Sequence, residues 1–275
     1  MHIYQTAILG VVQGLTEFLP VSSSGHLVLM QNLLGFQEPE LFLDICLHLG
    51  TLLAVCIFLW RDLVSIFNTL SFLKHSPASW NLKDLYDRTP AFRMLILVAV
   101  STVITTAVAL VFKHQFEAMF SSIRAVAVAL IVTGVILWGT RMVSQNGCSL
   151  MEIGFFRAII IGLAQGLSIA PGISRSGTTI SCGLYMGMKR DLSARFSFLL
   201  SIPAILGAAI LKFDAAQMHG QTVPILVGTL VAAVTGFIAL KILMRLVLGG
   251  RLWVFAPYCW ILGLSILAGS LMKLL

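Results

Sequence analysis

Six stretches of this 275-residue chain are sparse in charge and about as long as a bilayer is thick: near 41–60, 92–112, 122–142, 192–212, 222–247 and 252–272. In hydrocarbon every backbone N–H and C=O needs a partner inside the protein, so stretches of this kind read as spanning helices. The rest of the chain agrees. Only 11% of its residues are charged and 58% are hydrophobic, with a mean hydropathy of +0.97. A soluble domain carries about 25% charged residues. The expectation is an all-α polytopic membrane protein with a single integral membrane domain over 1–275. The first 19 residues have no Lys or Arg and reach Glu17 where an apolar core would end, so they are not read as a signal peptide. The five cysteines are scattered and read as small buried side chains.

Two further apolar regions, about 3–34 and 153–188, are broken in the middle by Pro, Gly and Ser. They are copies of one another. Residues 8–26 (ILGVVQGLTEFLPVSSSGH) match residues 160–178 (IIGLAQGLSIAPGISRSGT) at 8 of 19 positions, at a constant offset of 152. The divergent positions are informative: Glu17 faces Ile169, Ser23 faces Arg175 and His26 faces Thr178. A duplicated scaffold that keeps its glycines and differs in its reactive side chains suggests one composite site made from two halves.

Each broken region reads as a re-entrant helix-loop-helix hairpin. Each half of the chain, about 1–150 and about 151–275, then holds one hairpin and three transmembrane helices. Three is odd, so the two repeats are expected to be inverted, a known plan for broken helices that meet near the midplane. Charge supports this count. Thirteen of the eighteen Lys and Arg fall on the side opposite the N-terminus, while Lys113, Arg124, Lys212 and Lys273 fall on the N-terminal side and Arg175 lies in a repeat loop. The positive-inside bias puts the richer side in the cytoplasm and both termini outside. The net charge of +7 is thus explained by its location, with the bilayer and not nucleic acid as partner. The polar stretch 61–91 would be cytoplasmic and carry an interfacial helix. Trp60, Trp80, Trp253 and Trp260 read as interface anchors, with simple packing an equal reading for Trp260.

The chemistry concentrates in the two loops. Residues 20–26 (PVSSSGH) offer backbone N–H groups, the hydroxyls of Ser22, Ser23 and Ser24, and the His26 imidazole. Residues 171–179 (PGISRSGTT) offer N–H groups, hydroxyls and the Arg175 guanidinium. Gly25, Gly172 and Gly177 allow tight turns and close approach. Ser174, Ser176 and Thr179 are candidate caps of the following helix. A helix N-terminus with free N–H groups beside an arginine fork makes a phosphate or diphosphate cradle. Gln13 and Glu17 share a helix face. Glu17 and Arg175 each cost roughly 2.5–3.5 kcal/mol at a helix centre, so a role in function is expected. A structural ion pair alone would not require His26 and the neighbouring hydroxyls. Glu17 could hold a divalent cation with Gln13 as a neutral oxygen ligand, or act as a general base. Ser23 and His26 are both nucleophile candidates, and His26 is also a candidate acid or base. Asp44 and His48, another i, i+4 pair, either line the mouth of the cavity or bond each other, with the structural role favoured; Asp191 and Arg195 also read as structural.

These loops resemble those of the undecaprenyl-diphosphate phosphatase, or bacitracin-resistance, family. The residues that carry the resemblance are Gln13–Glu17, Ser22–His26 and Pro171–Thr179, with 48–55 (HLGTLLAV) and 195–208 (RFSFLLSIPAILGA) extending it over essentially the whole chain. Gln at position 13 makes a two-carboxylate metal site unfavoured. The resemblance implies an inner-membrane hydrolase that converts undecaprenyl diphosphate to undecaprenyl phosphate and phosphate. That reaction recycles the carrier for peptidoglycan and other envelope polymers and gives bacitracin resistance. The resemblance also implies a divalent cation, Mg²⁺ or Ca²⁺, and a site opening to the periplasm; it admits a homodimer. The expected catalytic set is Glu17, Ser23, His26 and Arg175, with Glu17 and Gln13 as metal ligands. Gln13, Ser22, Ser24, Gly25, Gly172, Ser174, Ser176, Gly177 and Thr179 are expected to bind the substrate.

A polyprenyl-phosphate transporter is the rival, because it would use the same repeats and cradle. The Glu17–Ser23–His26 set, confined to one repeat, argues for hydrolysis. A second lipid-phosphatase chemistry needs a His shortly after a Ser-Arg pair, and Ser174–Arg175 is followed by no His until His219.

Overall fold

The computed structural model describes residues 1–36, 41–75, 81–144, 146–212 and 221–272. Trp80, His219 and Lys273, named above, lie outside the described residues. Among those described, the regular structure is helical throughout.

The first broken region is α1 (Ile3–Phe18) and α2 (Ser23–Leu33), and the second is α9 (Phe155–Leu167) and α10 (Arg175–Tyr185). Both breaks contain a proline, Pro20 or Pro171, which offers no N–H to continue a helix. The six long apolar helices lie where the sequence puts them. They are α3 (Leu41–Phe58), α6 (Pro90–Val111), α8 (Ile123–Gly139), α11 (Arg190–Lys212), α12 (Thr222–Leu248) and α13 (Ala256–Leu271). All six are long and apolar enough to cross a membrane, α8 running on to Met142 and α13 starting from Leu252 through adjoining 3₁₀ turns. Along α12, Val223, Leu226, Leu230, Val234 and Ile238 form an exposed row at helical spacing. Such a row suits contact with lipid tails. The polar stretch holds two helices where one was expected, α4 (Trp60–His75) and α5 (Leu82–Arg88). A short α7 (Lys113–Phe120) lies between α6 and α8.

Packing follows the duplication. α1 lies along α12, and its repeat counterpart α9 lies along α6. Glycine makes both contacts possible. A side chain at Gly10 would run into the Gly228 carbonyl, and one at Gly162 into the Ser101 carbonyl. Hydroxyls then bridge the close backbones, as is common between membrane helices. Thr6 donates to Pro224 O at 2.7 Å and Thr235 to Gly10 O at 3.3 Å. On the other side, Ser101 donates to Ala158 O at 2.7 Å and Thr105 to Gly162 O at 3.0 Å.

Each hairpin returns to its starting point. Gln5 Nε2 donates to Leu34 O at 3.0 Å, joining the start of α1 to the end of α2. Arg157 Nε donates to Met186 O at 3.0 Å, joining the start of α9 to the end of α10. The main core lies beside the loops and includes Phe18, Leu137, Ile161, Phe196 and Phe198. Phe198 meets Phe18 and Phe58 edge-on, with ring centres 6.3 and 6.2 Å apart. Trp260 takes the packing role: it covers Gly134 and meets Trp138, while Arg141 lies over both Trp138 and Trp253. All five cysteines are free, Cys259 fully buried and the others half-buried.

Candidate active site

The two loops dock on one another. Ser22 Oγ accepts from Gly172 N at 3.2 Å, and Gly177 packs so closely on Pro20 that a side chain there would have to displace it. Gly172 has φ +93°, which a side chain would strain, and its carbonyl accepts from Thr133 at 3.0 Å.

Glu17 is the hub, with 7% of its surface exposed. Its Oε1 pairs with Arg175 Nη2, so a helix end of one repeat is joined to the loop of the other. Its Oε2 accepts from Ser23 Oγ at 2.6 Å and from Gln13 Nε2 at 3.0 Å. His48 Nε2 lies 3.6 Å from the same oxygen. Burying a charge is tolerated when its lone pairs are filled and a counter-charge is at hand, and both hold here. A carboxylate accepting from a serine hydroxyl is the relation of base to nucleophile. A guanidinium on the other oxygen supplies the positive charge that a phosphoryl group needs.

The remaining candidates divide. Ser22 has φ +66°, an unusual state for a residue with a side chain, at the head of α2 where it makes no side-chain cap. Its hydroxyl is also 3.4 Å from that of Ser24. Gly25 faces open space save for Val126, 3.9 Å from where a Cβ would sit. His26 is engaged on both ring nitrogens, Nδ1 with Ser22 O at 2.8 Å and Nε2 with Tyr258 Oη at 2.6 Å. In the second loop, Ser174 alone of the three candidate caps closes α10, accepting from Gly177 N at 3.1 Å. Ser176 lies 3.3 Å from Ser174, and Thr179 donates to Arg175 O at 2.8 Å and meets Ser197 at 2.5 Å. Ser174, Ser176 and Thr179 are buried, so they shape the second loop from behind.

Sequence reasoning named one neighbour of the site, His48, only as the less favoured of two readings, and missed another, Tyr258. His48 and Asp44 do not join side chains: His48 Nδ1 bonds the Asp44 carbonyl at 2.7 Å, and Asp44 Oδ1 accepts from Gln31 at 2.7 Å. The i, i+4 spacing was visible, but the direction of the ring was not. Tyr258 is separated from His26 by 232 residues and carried no signal. Asp191 and Arg195 are the expected local pair at 3.6 Å, and Arg195 also reaches Asp62 at 3.1 Å.

Fold and site together define a multi-pass helical membrane protein with a buried carboxylate beside a half-buried serine and arginine where two broken helices meet. The model of the family described as Bacitracin resistance protein BacA matches residues 6–265. The chain is 45% identical over 273 residues to an undecaprenyl-diphosphatase of Desulforapulum autotrophicum, covering 98% of this chain and 99% of that one. It is 44% identical over 277 residues to one of Desulfatibacillum aliphaticivorans, with 98% and 99% covered. It is also 38% identical over 267 residues to one of Methanosphaera stadtmanae, with 96% of each covered. The chain belongs to the BacA bacitracin resistance family.

Proposed function

We propose that this protein is an integral-membrane phosphatase that hydrolyses undecaprenyl diphosphate to undecaprenyl phosphate and phosphate. Near-complete alignment with undecaprenyl-diphosphatases supports the substrate and the link to bacitracin resistance. The observation that carries the chemistry is the 2.6 Å bond from Ser23 Oγ to Glu17 Oε2 beside Arg175. Phosphoryl transfer depends mainly on positioning and charge stabilisation.

In the reaction we propose, Arg175 and the N–H groups of the two loops hold the diphosphate. Ser23 Oγ attacks the terminal phosphorus while its proton passes to Glu17. The bond from that phosphorus to the bridging oxygen breaks, and undecaprenyl phosphate leaves with the electron pair. Water then attacks the phosphorus of the phosphoserine as the P–Oγ bond breaks; Glu17 returns its proton to Ser23 Oγ, the proton lost by the water passes to solvent, and phosphate is released. Of the two candidate nucleophiles, His26 is the less free, since Ser22 and Tyr258 occupy both nitrogens. A divalent cation would neutralise charge on the diphosphate oxygens. Glu17 would fit that group as the alternative to its role as base, and so would Gln13, whose buried Oε1 has no hydrogen-bond partner. Mg²⁺ or Ca²⁺ would suit such oxygen ligands.

The topology we favour is two inverted repeats with both termini outside and the site open to the outer side of the cytoplasmic membrane. The exchange of partners between α1–α12 and α9–α6 supports it, as does the return of each hairpin to its start. The test is phosphate release from a long-chain polyprenyl diphosphate by purified protein, with and without EDTA. Ser23→Ala and Glu17→Gln should each lower the rate by about a hundredfold or more. Full activity in the Ser23→Ala, His26→Ala double variant would exclude a covalent intermediate on either residue.

A further inference from the structure

His48 faces the Glu17 carboxylate in a way that hydrogen bonding does not explain. Its Nδ1 is 2.7 Å from the Asp44 backbone carbonyl, so in the neutral ring the proton sits on Nδ1 and the lone pair on Nε2. That lone pair looks at Glu17 Oε2 from 3.6 Å. In the neutral ring two acceptors then confront one another across a gap too long for a direct bond, a place where a cation would engage the imidazole and exchange with the donors now on Oε2.

Two independent features point the same way. Gln13 is fully buried, and its amide sits on Glu17 Oε2 while its Oε1 finds no partner. The amide nitrogen faces Glu17 as the bonding requires; with a cation on Oε2 the amide would turn over and offer it the oxygen that now has no partner. The second feature is the support behind the imidazole. Metal-bound histidines almost always donate their other ring N–H to a carboxylate, a backbone carbonyl or water, which fixes tautomer and direction. The Asp44 carbonyl already does this. The ring is about one-third exposed, so an ion can reach it.

We infer that His48 is a nitrogen ligand of the divalent cation, completing a mixed set with Glu17 and Gln13. The inference rests on the phosphatase reading only for the identity of the remaining ligands, the diphosphate oxygens. Among the described residues no three His, Cys, Asp or Glu side chains converge. The protein therefore supplies a partial shell, as is usual where phosphate oxygens finish the coordination. An imidazole in that shell favours a borderline ion over Ca²⁺, so Mn²⁺ should bind at least as well as Mg²⁺.

The test is pulsed electron paramagnetic resonance of Mn²⁺ bound to the purified protein, with phosphate release assayed in parallel. Wild-type protein should show ¹⁴N modulation from a coordinated imidazole. His48→Gln should abolish that modulation and weaken Mn²⁺ at least about tenfold, whereas His26→Gln should keep the modulation. Bound Mn²⁺ without ¹⁴N modulation, or no bound Mn²⁺ at all, overturns the inference. If phosphate release persists in that case, the phosphatase reading stands. If ¹⁴N modulation is present but no preparation releases phosphate, the metal site stands and the phosphatase reading falls.

Discussion

The two broken regions match at 8 of 19 aligned positions, yet their loops place their hydroxyls differently. In the loop after α9, groups are satisfied close by: Ser174 caps Gly177, Thr179 bonds the Arg175 carbonyl, and Ser197 on the next helix covers Thr179. In the loop after α1, groups reach outward. Ser22 holds a positive φ and takes its N–H partner from Gly172 in the other loop, Ser23 turns back to Glu17, and His26 leans on Tyr258. One loop is a settled platform and the other is held in place by what surrounds it. Strain that the surroundings must maintain is common where chemistry occurs. The asymmetry is in keeping with the proposed reaction, in which the reacting groups belong to the first broken region and the anion-holding groups to the second.

The sharpest way to break this division is to move chemistry off the first loop. Glu17→Gln and Ser23→Ala should each reduce phosphate release by about a hundredfold or more, whereas Ser174→Ala should slow it much less. Equal losses would end the distinction. Next in size is the shared scaffold. Gly10→Val and Gly162→Val should each destabilise by about 1–3 kcal/mol or more in detergent unfolding, because each drives a side chain into a facing carbonyl. If only one of them matters, the two helix pairs are not equivalent. A subtler contrast concerns the loop heads. Ser174→Ala should cost about 1 kcal/mol and Ser174→Gly only a few tenths, as for an ordinary cap. Ser22→Ala should be more harmful than Ser22→Gly, since glycine accepts the positive φ and alanine does not. The smallest effect should come from Asp191→Asn. Its pair with Arg195 is exposed and contributes less than about 1 kcal/mol by thermal unfolding.

Much of this was legible in the sequence. Apolar length alone located the six spans, because the thickness of the hydrocarbon sets the length of a helix. The repeat located the two breaks, and the rarity of charge in such a chain singled out Glu17 and Arg175, which the structure joins. What stayed hidden depends on the rotation of helices against one another. The spacing of Asp44 and His48 suggested that they bond each other, but packing turned the His48 ring to Glu17 and the Asp44 side chain to Gln31. Tyr258 meets His26 only because α13 closes against the first loop, a contact with no local trace. The hydroxyls of the second loop looked like ligands for an anion, yet burial gave Thr179 and Ser176 to the frame.

The ion pair between Glu17 and Arg175 spans 158 positions of the chain. At about 5–20 residues per second, a ribosome needs roughly eight to thirty seconds to reach Arg175 after it has made Glu17. The long partner of α1 arrives later still, since Thr6 is bonded to Pro224. Throughout that interval the newborn hairpin holds a carboxylate without its counter-ion. Deep insertion of the first hairpin is therefore costly until the second loop brings Arg175 to it. A chain cut short before the second loop would carry that acid without its counter-ion.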